Sequence, residues 1–347
     1  MKKSVTIKEI AAEAQVSIAT VSMVLNKKDK KISEATREKI LYIAQKYNYT
    51  PNTMARSLIT KQTHTIGLVI PDIVNPFFPE IARGVEDKSS ELGYSVIYCN
   101  TDDKIKREDK YINVLTEKMV DGIIFAHSSD RQMGFDSLDK CKVPIILIDR
   151  DYDNSNVIGR VIVENKEGAY MATSYLLDRG YQNIAYIAGS ITTATAIGRL
   201  EGYNHALADR NITVKNNLIK VGEYKMQWGI DAVEQLLNEN EPIDGIFCGN
   251  DLIAIGAIKS LREHGLKVPE DVGIVGFDDI YLASLVEPPL TTIKQPNYEM
   301  GYKAAELLIM NIEKIRLDRI KHENKGHSLK ENTLLLPTEL IVRKSTK

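Results

Sequence analysis

The first fifty residues contain short apolar repeats at helical spacing. A capping box of Thr6 and Glu9 precedes apolar positions that recur at i, i+3, i+4 and i+7 within residues 7–14. Ser17 and Ser33 are N-cap residues before two further helical patterns. The spacing therefore predicts three short helices. In the third helix, the predicted buried stripe consists of Ile40, Ile43, Ala44 and Tyr47.

The second predicted helix has two different faces. Val21, Val24 and Leu25 form an apolar stripe that faces inward. Two short helices joined by a tight turn are typical of a helix-turn-helix, whose second helix enters the DNA major groove. A generic three-helix bundle is the alternative, but it leaves the outer face and the basic residues 27–31 unexplained. The outer face carries Ile18, Ala19, Ser22 and Met23.

From residue 66 onward the pattern changes to short continuous apolar runs separated by helical repeats. Such runs are typical of parallel strands that helices cover on both faces. The alternation predicts repeated βαβ units in two doubly wound domains, which face each other across a cleft where ligands bind. The runs span residues 67–70, 95–99, 122–126, 144–148, 184–188, 245–249 and 272–277.

Charge is unevenly distributed along the chain. Residues 1–61 contain 12 Lys and Arg against 5 Asp and Glu, a net charge of +7. The remaining residues contain 33 against 42, a net charge of −9. A basic head on an acidic body indicates a polyanionic partner for the head alone.

The sequence lacks the signatures of common enzyme and cofactor sites. It contains no GxxxxGK phosphate loop, no GxGxxG after a strand and no HExxH, and its six histidines are scattered. Cys99, Cys141 and Cys248 lie far apart in apolar runs, a spacing typical of buried thiols. We therefore expect neither an enzyme nor a bound metal or cofactor.

The opening stretch MKKSVTIKEI is basic, but no apolar run follows it. We therefore expect neither a signal peptide nor a membrane span, and a protein that stays in the cytoplasm. A free-standing transport binding protein would suit the body alone. The basic head and the missing signal peptide argue against that class.

Several motifs carry a resemblance to a known family. VTIKEIAAEAQVSIATVSMVLN, ISEATREKI and YNYTPNTMARSL resemble the DNA-binding head of the lactose-repressor (LacI/GalR) family of bacterial regulators. NPFF (75–78), GND (249–251), VGFDD (275–279), PPLTTIKQP (288–296) and RKST (343–346) extend the resemblance over the body. It implies an all-α, lambda-repressor-like head plus an α/β body of two doubly wound parallel-sheet subdomains, as in type I periplasmic binding proteins.

The resemblance also divides the chain. Residues 1–49 are expected to form the DNA-binding head, residues 50–62 a hinge helix and linker, and residues 63–347 the effector-binding and dimerisation domain. Within that domain, the subdomain next to DNA is expected to contain residues 63–162 plus 293–322. Residues 163–292 plus 323–347 are expected to form the distal subdomain.

The family pattern assigns roles in DNA binding position by position. Phosphate contacts fix the register of such a protein on the duplex, whereas base contacts specify the sequence. The residues that match phosphate-positioning groups are Thr6, Ser17, Thr20, Ser22, Asn26 and Thr36. The base-reading face consists of Ile18, Ala19 and Met23.

Met23 departs from the pattern, because most family members have Arg at this position. Arg is the usual bidentate reader of guanine, and Met cannot donate a hydrogen bond. We therefore expect an operator that differs from the common family site beneath Met23, with a thymine methyl as one candidate contact. The alternative is that Met23 only packs against the sugar–phosphate backbone.

The segment 52–58 matches the hinge helix of the family. Leu58 matches the apolar wedge that enters the minor groove, with Ala55 close to the groove and Arg56 near the phosphates. An isolated helix this short is unstable in water, so it should fold only against DNA and its twin from a second subunit. On composition and length alone, a plain linker is the alternative.

Ligand-binding candidates lie near the predicted strand ends. Taken singly, each has an ordinary structural alternative, such as a helix cap for Asp278, a surface ion pair for Arg199 or simple core packing for Phe77 or Phe78. Together they resemble the ligand set of bacterial ribose-binding proteins, and GYSVIYCNT resembles ribose-operon repressors. Ribose or another pentose is the implied effector, with phosphorylated and purine ligands as alternatives. The set is Asn75, Phe77, Phe78, Asp149, Arg150, Arg199, Tyr224, Asn250, Asp278 and Gln295.

The combined prediction is a homodimeric repressor of a sugar-utilisation operon. Two heads would read the half-sites of operator DNA, and a sugar in the cleft would control their affinity. Only four residues follow Arg343, too few for a heptad bundle, so dimers are expected rather than tetramers. The effector could act as an inducer or as a co-repressor.

Overall fold

The structure is a computed structural model, and its contacts divide the chain into two compact units. One unit comprises residues 1–63 and the other residues 64–347. The predicted hinge residues Ala55, Arg56 and Leu58 lie outside the described residues, as do Lys27, Lys28 and Lys30 of the basic cluster. The described residues are 5–26, 29, 31–49, 62–129, 136–152, 157–239, 241–320 and 332–347.

The first unit contains the three predicted helices: α1 (Ile7–Ala14), α2 (Ile18–Leu25) and α3 (Glu34–Lys46). The turn between α1 and α2 is made by Gln15, whose φ of 59° lies in the left-handed region. Both capping predictions hold, since Thr6 and Glu9 form the reciprocal capping box of α1 and Ser17 caps α2. The buried core consists of Ile10, Ala11, Ala14, Val21, Val24, Ile40, Ile43 and Ala44.

Tyr47 was predicted to be buried, and this was wrong. Its side chain is 40% exposed, because α3 ends at Lys46 and Tyr47 is the C-cap residue. The chain leaves the helical path there, so the apolar stripe of α3 does not continue to the next turn. The Lys46 ammonium lies 4.9 Å from the centre of the Tyr47 ring.

The second unit is built on two six-stranded sheets. Almost all strands that the sequence predicted are fully buried, as expected for strands covered on both faces. The strands of the first sheet are β1 (Thr65–Ile70), β2 (Ser95–Asn100), β3 (Gly122–Phe125), β4 (Ile145–Ile148), β5 (Val157–Val163) and β11 (Asn332–Leu336). Those of the second are β6 (Ile184–Ala188), β7 (Ile219–Val221), β8 (Gly245–Cys248), β9 (Gly273–Asp278), β10 (Thr291–Lys294) and β12 (Glu339–Ile341).

The two sheets repeat one topology. Their strand orders are β11-β5-β4-β3-β1-β2 and β12-β10-β9-β8-β6-β7, so five strands of each half follow the order 2-1-3-4-5. Every pair is parallel except β10 with β12. In this doubly wound order, ligands bind outside the carboxyl ends of the strands where the strand order reverses.

Helices cover the sheets in pairs, and glycines let some of them approach closely. A Cβ on Gly84 would lie 2.1 Å from the carbonyl oxygen of Tyr298. None of the described helices combines the length and apolarity of a membrane span. The helices are α4 (Phe77–Glu91), α5 (Ile105–Glu117), α6 (Asp136–Asp139), α7 (Asn165–Asp178), α8 (Ala194–Asp209), α9 (Met226–Leu237), α10 (Asp251–Glu263) and α11 (Asn297–Ile320).

Two expected boundaries inside the body differ from the structure. The segment 323–347 was assigned to the distal half, but β11 pairs in parallel with β5 of the first sheet. The first half was expected to resume at residue 293, but β10 belongs to the second sheet through Lys294. Short strands at sheet edges carry a weak apolar signal, which is why β7, β11 and β12 were not predicted. The interior strands β5 and β10 were not predicted either. The chain therefore crosses between the sheets three times, after β5, after β10 and after β11.

Candidate functional site

The outer face of α2 is exposed in the head. Ile18 and Met23 are 44% and 41% exposed, and Ala19 is exposed beside them, whereas Val21 and Val24 are buried. The face is free to contact a groove, as the sequence predicted.

Hydroxyl and amide groups around this face are positioned by local hydrogen bonds. The Ser17 hydroxyl oxygen accepts from the Thr20 backbone N–H at 3.1 Å and lies 2.8 Å from the Thr20 hydroxyl. The Asn26 amide donates to the Ser22 carbonyl oxygen at 2.7 Å. At the start of α3, the Thr36 hydroxyl lies 2.9 Å from that of Ser33. Ser17, Thr20 and Thr36 lie at helix N-termini, where phosphate oxygens are commonly bound, whereas Asn26 is the C-cap of α2.

The main cavity of the body has a volume of about 480 Å³. Its lining comes from loops that follow the carboxyl ends of strands in both sheets, as the topology predicts. All ten residues of the predicted ligand set line it. Residues of this set up to 220 positions apart in the sequence, Asn75 and Gln295, therefore meet in one cavity.

Two Asp–Arg pairs form what we call the charged floor: Asp149, Arg150, Arg199 and Asp278. Each of these residues is at most 6% exposed. The structure excludes the two ordinary roles considered from sequence, because Arg199 is buried rather than on the surface and Asp278 ends β9 rather than capping a helix. Buried charges of this kind require partners inside the protein.

Arg199 is held on all sides by the second half of the body. Its Nε donates to Asn165 Oδ1 at 2.8 Å and its Nη1 to the Gly249 carbonyl oxygen at 2.5 Å. The guanidinium carbon lies 3.7 Å from the centre of the Phe277 ring, and Nη1 is 4.0 Å from Asp278 Oδ1. The guanidinium plane is therefore fixed before any ligand enters.

Arg150 is held in the same way by the first half. Its Nη1 donates to the His127 carbonyl oxygen at 2.6 Å and to Asp103 Oδ1 at 3.2 Å. Its Nε lies 3.6 Å from Asp149 Oδ2. The two halves thus each contribute one ordered guanidinium and one carboxyl group to the charged floor.

Burial perturbs both acids of the charged floor. It raises the pKa of Asp278 to about 7, although Arg199 and a hydrogen bond from Gln295 act in the opposite direction. Burial also raises the pKa of Asp149, against the fields of Arg150 and Arg199. Both residues have positive φ, 66° for Asp149 and 118° for Asp278, a strained conformation that is concentrated at ligand sites.

Neutral groups complete the lining. Phe77 and Phe78 are 3% and 4% exposed and meet edge to face, with ring centres 4.9 Å apart. The Gln295 amide donates to Asp278 Oδ1 at 2.6 Å. Within the described part of the chain, Gln295 Oε1 and the Tyr224 hydroxyl are buried without a hydrogen-bond partner. Such atoms usually mark the place of a ligand or a water molecule.

Two amide side chains of the predicted set have local structural roles as well. Asn250 caps α10, its Oδ1 accepting from the Ile253 N–H at 2.9 Å. Asn75 Oδ1 accepts from the Phe77 N–H at 3.2 Å at the start of α4. In both residues the cap uses only the side-chain oxygen, so the side-chain nitrogen can donate to an oxygen atom of a ligand in the cavity.

The sequence analysis missed ten further lining residues. Most are polar residues directly after strands, so strand position could have found them, but a short polar stretch between a strand and a helix is also an ordinary loop. We call the charged ones, which are exposed or half-buried, the rim: Asp72, Asp102, Asp103, Lys104, Glu223 and Lys225. The others are Pro71, Ser129, Ser190 and Thr195.

Both parts of the chain match known families. Residues 6–52 match the family described as bacterial regulatory proteins, lacI family. Residues 63–328 match the family described as periplasmic binding proteins and sugar binding domain of LacI family. The second match alone covers more than half of the chain.

Similar proteins agree with these matches. A ribose operon repressor of Halalkalibacterium halodurans is 40% identical over 342 residues, which cover 99% of this chain and 97% of that protein. The structure of the lac repressor dimer bound to operator and the anti-inducer ONPF aligns with a TM-score of 0.84 at 29% identity, covering 99% of both chains.

A LacI-family transcriptional regulator from Enterococcus faecium, solved with bound ribose, aligns with a TM-score of 0.68 at 30% identity. The alignment covers 81% of this chain and 98% of that one. These relatives are regulators rather than enzymes, in agreement with the absence of catalytic motifs from the sequence. This chain therefore belongs to the LacI family of bacterial transcription regulators.

Proposed function

We propose that this protein is a homodimeric, cytoplasmic repressor of a sugar-utilisation operon. Its two heads bind the half-sites of a near-palindromic operator, and a small sugar in the cavity controls the affinity. Ribose or another pentose is the effector. The observation that carries the proposal is that all ten residues of the predicted ligand set line one cavity in a LacI-family body.

In the head, α2 is the reading helix. Ile18, Ala19 and Met23 contact base edges through apolar atoms, which suits thymine methyl groups better than guanine. The hydroxyl and amide groups fix the register on the backbone. They are Thr6, Ser17, Thr20, Ser22, Asn26 and Thr36. At the operator centre, Leu58 is proposed to enter the minor groove, with Ala55 close to the groove and Arg56 near the phosphates.

In the cavity, the lining suits a sugar. Phe77 and Phe78 offer an apolar surface for ring C–H groups, while carboxyl, guanidinium and amide groups can satisfy several hydroxyls. The ribose operon repressor among the relatives and the ribose-bound neighbour support a pentose. The size of the cavity, about 480 Å³, is in the range of small-molecule sites.

Coupling between cavity and DNA follows from the connection of the two halves. Three chain crossings join them, and the ligand contacts lie on both sides of these crossings. A ligand that binds one relative arrangement of the halves better than another shifts the population toward it. Operator and effector affinities must then change each other by the same factor.

Fluorescence anisotropy with the full-length protein tests the proposal. Operators selected from a random duplex pool should bind tightly at low salt, with an affinity that falls steeply as salt rises. Adding ribose should change the operator Kd at least about fivefold. A decrease in affinity identifies an inducer, and an increase identifies a co-repressor. Absence of any preferred duplex would contradict the proposal.

A matched pair of variants assigns the response to the cavity. Tyr224→Phe removes a hydroxyl that faces the cavity and should weaken the ribose response while operator affinity without sugar is unchanged. Tyr281→Phe makes the same change on a side chain that is 66% exposed, so it should leave both quantities unchanged. An equal effect of both variants would remove Tyr224 from the ligand set.

A further inference from the structure

The charges that line the cavity are not balanced. Six carboxyl groups and four basic groups line it, a net charge of −2 when all are ionised. Four of the carboxyl groups and two of the basic groups lie on the rim, and the charged floor contributes two of each. An entering anion therefore meets a surface whose net charge has its own sign.

Three of the four basic groups already face carboxylates of the protein. Arg199 faces Asp278 at 4.0 Å, and Arg150 faces Asp103 at 3.2 Å and Asp149 at 3.6 Å. At pH 8, above the raised pKa of about 7 of Asp278, a phosphate that bound Arg199 would place a dianion beside this buried carboxylate. A phosphate that bound Arg150 would lie beside Asp103 and Asp149. Like charges this close in a low-dielectric site repel strongly.

The third of these basic groups, Lys225, already has ion-pair partners on the rim. It forms an ion pair with Glu223 and also lies in the fields of Asp72 and Asp103. The remaining basic group on the lining, Lys104, is exposed to solvent, where its attraction for an anion is screened. Among the described residues, each cation in the buried part of the cavity therefore already faces a carboxyl group of the protein.

The cavity presents hydrogen-bond acceptors that hydroxyl groups of a ligand can satisfy. The Gln295 amide nitrogen donates to Asp278, which leaves the buried Oε1 of Gln295 as an acceptor without a partner in the described residues. Asp149 and Asp278 are acceptors when ionised. A ligand with several hydroxyl groups supplies donors to all three, whereas a phosphate dianion, the main form above pH 7, supplies none.

We propose that the cavity selects uncharged, polyhydroxylated ligands and rejects the phosphorylated forms of the same sugars, with Asp149 and Asp278 as specificity-determining residues. This inference rests on the proposed function, because it takes the cavity to be the effector site. It goes beyond that function by separating free sugars from sugar phosphates, which the resemblance to the family leaves open.

The experiment compares a matched series of ligands on the full-length protein. Binding of each ligand is measured by isothermal titration calorimetry and by the shift of the melting temperature, which Trp228 fluorescence reports. The probes are ribose, xylose, glucose and ribitol, together with ribose 5-phosphate, glucose 6-phosphate and adenine. At least one uncharged polyol should bind. Its phosphorylated partner should bind at least about 100-fold more weakly, because a dianion beside the two carboxylates is destabilised.

Substitutions of Asp149 and Asp278 test whether these two acids determine the preference for uncharged sugars. Asp149→Asn and Asp278→Asn should each weaken the uncharged ligand about 10- to 100-fold, since a charged acceptor becomes neutral. Each should also reduce the ratio of the affinities for the uncharged and the phosphorylated ligand at least about tenfold. Glu263→Gln makes the same charge change on an exposed residue of α10 and should alter neither affinity. The two acid variants are independent, so one that fails to fold does not remove the test.

Two results would overturn the inference. One is a phosphorylated sugar that binds as tightly as its uncharged form, and the other is the absence of binding by every uncharged sugar in the series. If both acid variants keep the wild-type ratio of affinities for the uncharged and the phosphorylated sugar, residues other than Asp149 and Asp278 determine the specificity. Operator binding without sugar is measured separately, so a failure of the repressor function is visible independently of these outcomes.

Discussion

The head and the cavity solve recognition in opposite ways. In the head, the residues proposed to contact DNA are exposed or half-buried, and their hydrogen bonds link positions three or four apart in the sequence. In the cavity, the charged floor is buried and its hydrogen bonds link residues 17 to 50 positions apart. The head presents an exposed surface, as suits a large polyanion, and the cavity is enclosed, as suits a small molecule.

This difference has an energetic consequence. An exposed side chain that caps no helix contributes little to the stability of the unit that carries it, so its substitution changes recognition alone. A buried charge is part of a network whose other members lose their partners when it is removed. Stability and recognition should therefore separate in the head and remain linked in the cavity.

The largest effect is expected for Arg199→Leu. The change leaves Asp278 without its cation and leaves Asn165 Oδ1 and the Gly249 carbonyl oxygen without their donor. At pH 8 it should lower the free energy of unfolding of the body by about 3–5 kcal/mol. Urea unfolding followed by Trp228 fluorescence measures this.

Arg83→Leu is the control for this change, because Arg83 is 67% exposed and pairs with Asp87 on the surface. It should cost less than about 1 kcal/mol. Equal costs for the two variants would show that the charged floor does not contribute to the stability of the body.

Asp278→Asn should alter how stability depends on pH. The pKa of Asp278 is raised by burial from its ordinary value of 3.8 to about 7, so the folded state binds a proton that the unfolded state releases between these values. Wild-type stability should therefore fall as pH rises from about 4 to about 7 and stay level above. Asn cannot lose a proton, so the variant lacks this part of the decline.

The stability gain of Asp278→Asn over wild type should thus be larger at pH 8 than at pH 5, with a difference of at least about 1 kcal/mol. Urea unfolding at the two pH values measures it. A variant that is less stable than wild type by the same amount at both pH values would show that ionised Asp278 is compensated within the floor.

Ser17→Ala should destabilise the head without affecting the body. Loss of the N-cap hydroxyl of α2 costs about 1 kcal/mol, whereas Ser17→Gly should cost only a few tenths. Hydrogen exchange of the α2 amides reports the head, and Trp228 fluorescence reports the body. A shift of the body transition would contradict the independence of the two units.

The smallest effect on stability is expected for Met23→Arg. Met23 is 41% exposed, so the change should alter the stability of the head by less than about 0.5 kcal/mol. Val24→Ala, at a neighbouring position that is 3% exposed, should cost more than 1 kcal/mol, about the loss of two buried methyl groups.

Met23→Arg should nevertheless change the preferred operator. Arg donates two hydrogen bonds to guanine in the major groove, whereas Met offers only apolar contact. Selection of binding sites from a random duplex pool with both proteins measures the preference. The same preferred base at every position would show that Met23 contacts only the sugar–phosphate backbone.

Much of this molecule could be predicted from periodicity and caps. The three helices of the head, the turn at Gln15 and seven strands, all buried except β2, follow from local patterns, because capping and the period of apolar residues are properties of neighbouring positions. Three of the missed strands, β7, β11 and β12, lie at sheet edges, where one side is open to solvent and the apolar signal is weak. The other two, β5 and β10, lie inside the sheets, and their apolar runs are broken by Gly159 and Arg160 in β5 and by two threonines in β10.

The membership of the cavity could not be predicted from such patterns. The ten ligand-set residues were found through a resemblance to sugar-binding proteins, and the rim residues, which that resemblance does not distinguish, were missed. Asp72 and Glu223 look like ordinary loop residues in the sequence. Only the strand order brings the loops after β1 and β7 to the same opening.

The sequence by itself determined where helices and buried strands form, and which face of α2 stays in water, because these depend on contacts between residues a few positions apart. The tertiary structure decided which sheet receives the last strands, and that Arg199 and Asp278 are buried opposite each other. Those outcomes depend on strand pairing and on the low dielectric of an enclosed site. Neither exists until distant segments have come together.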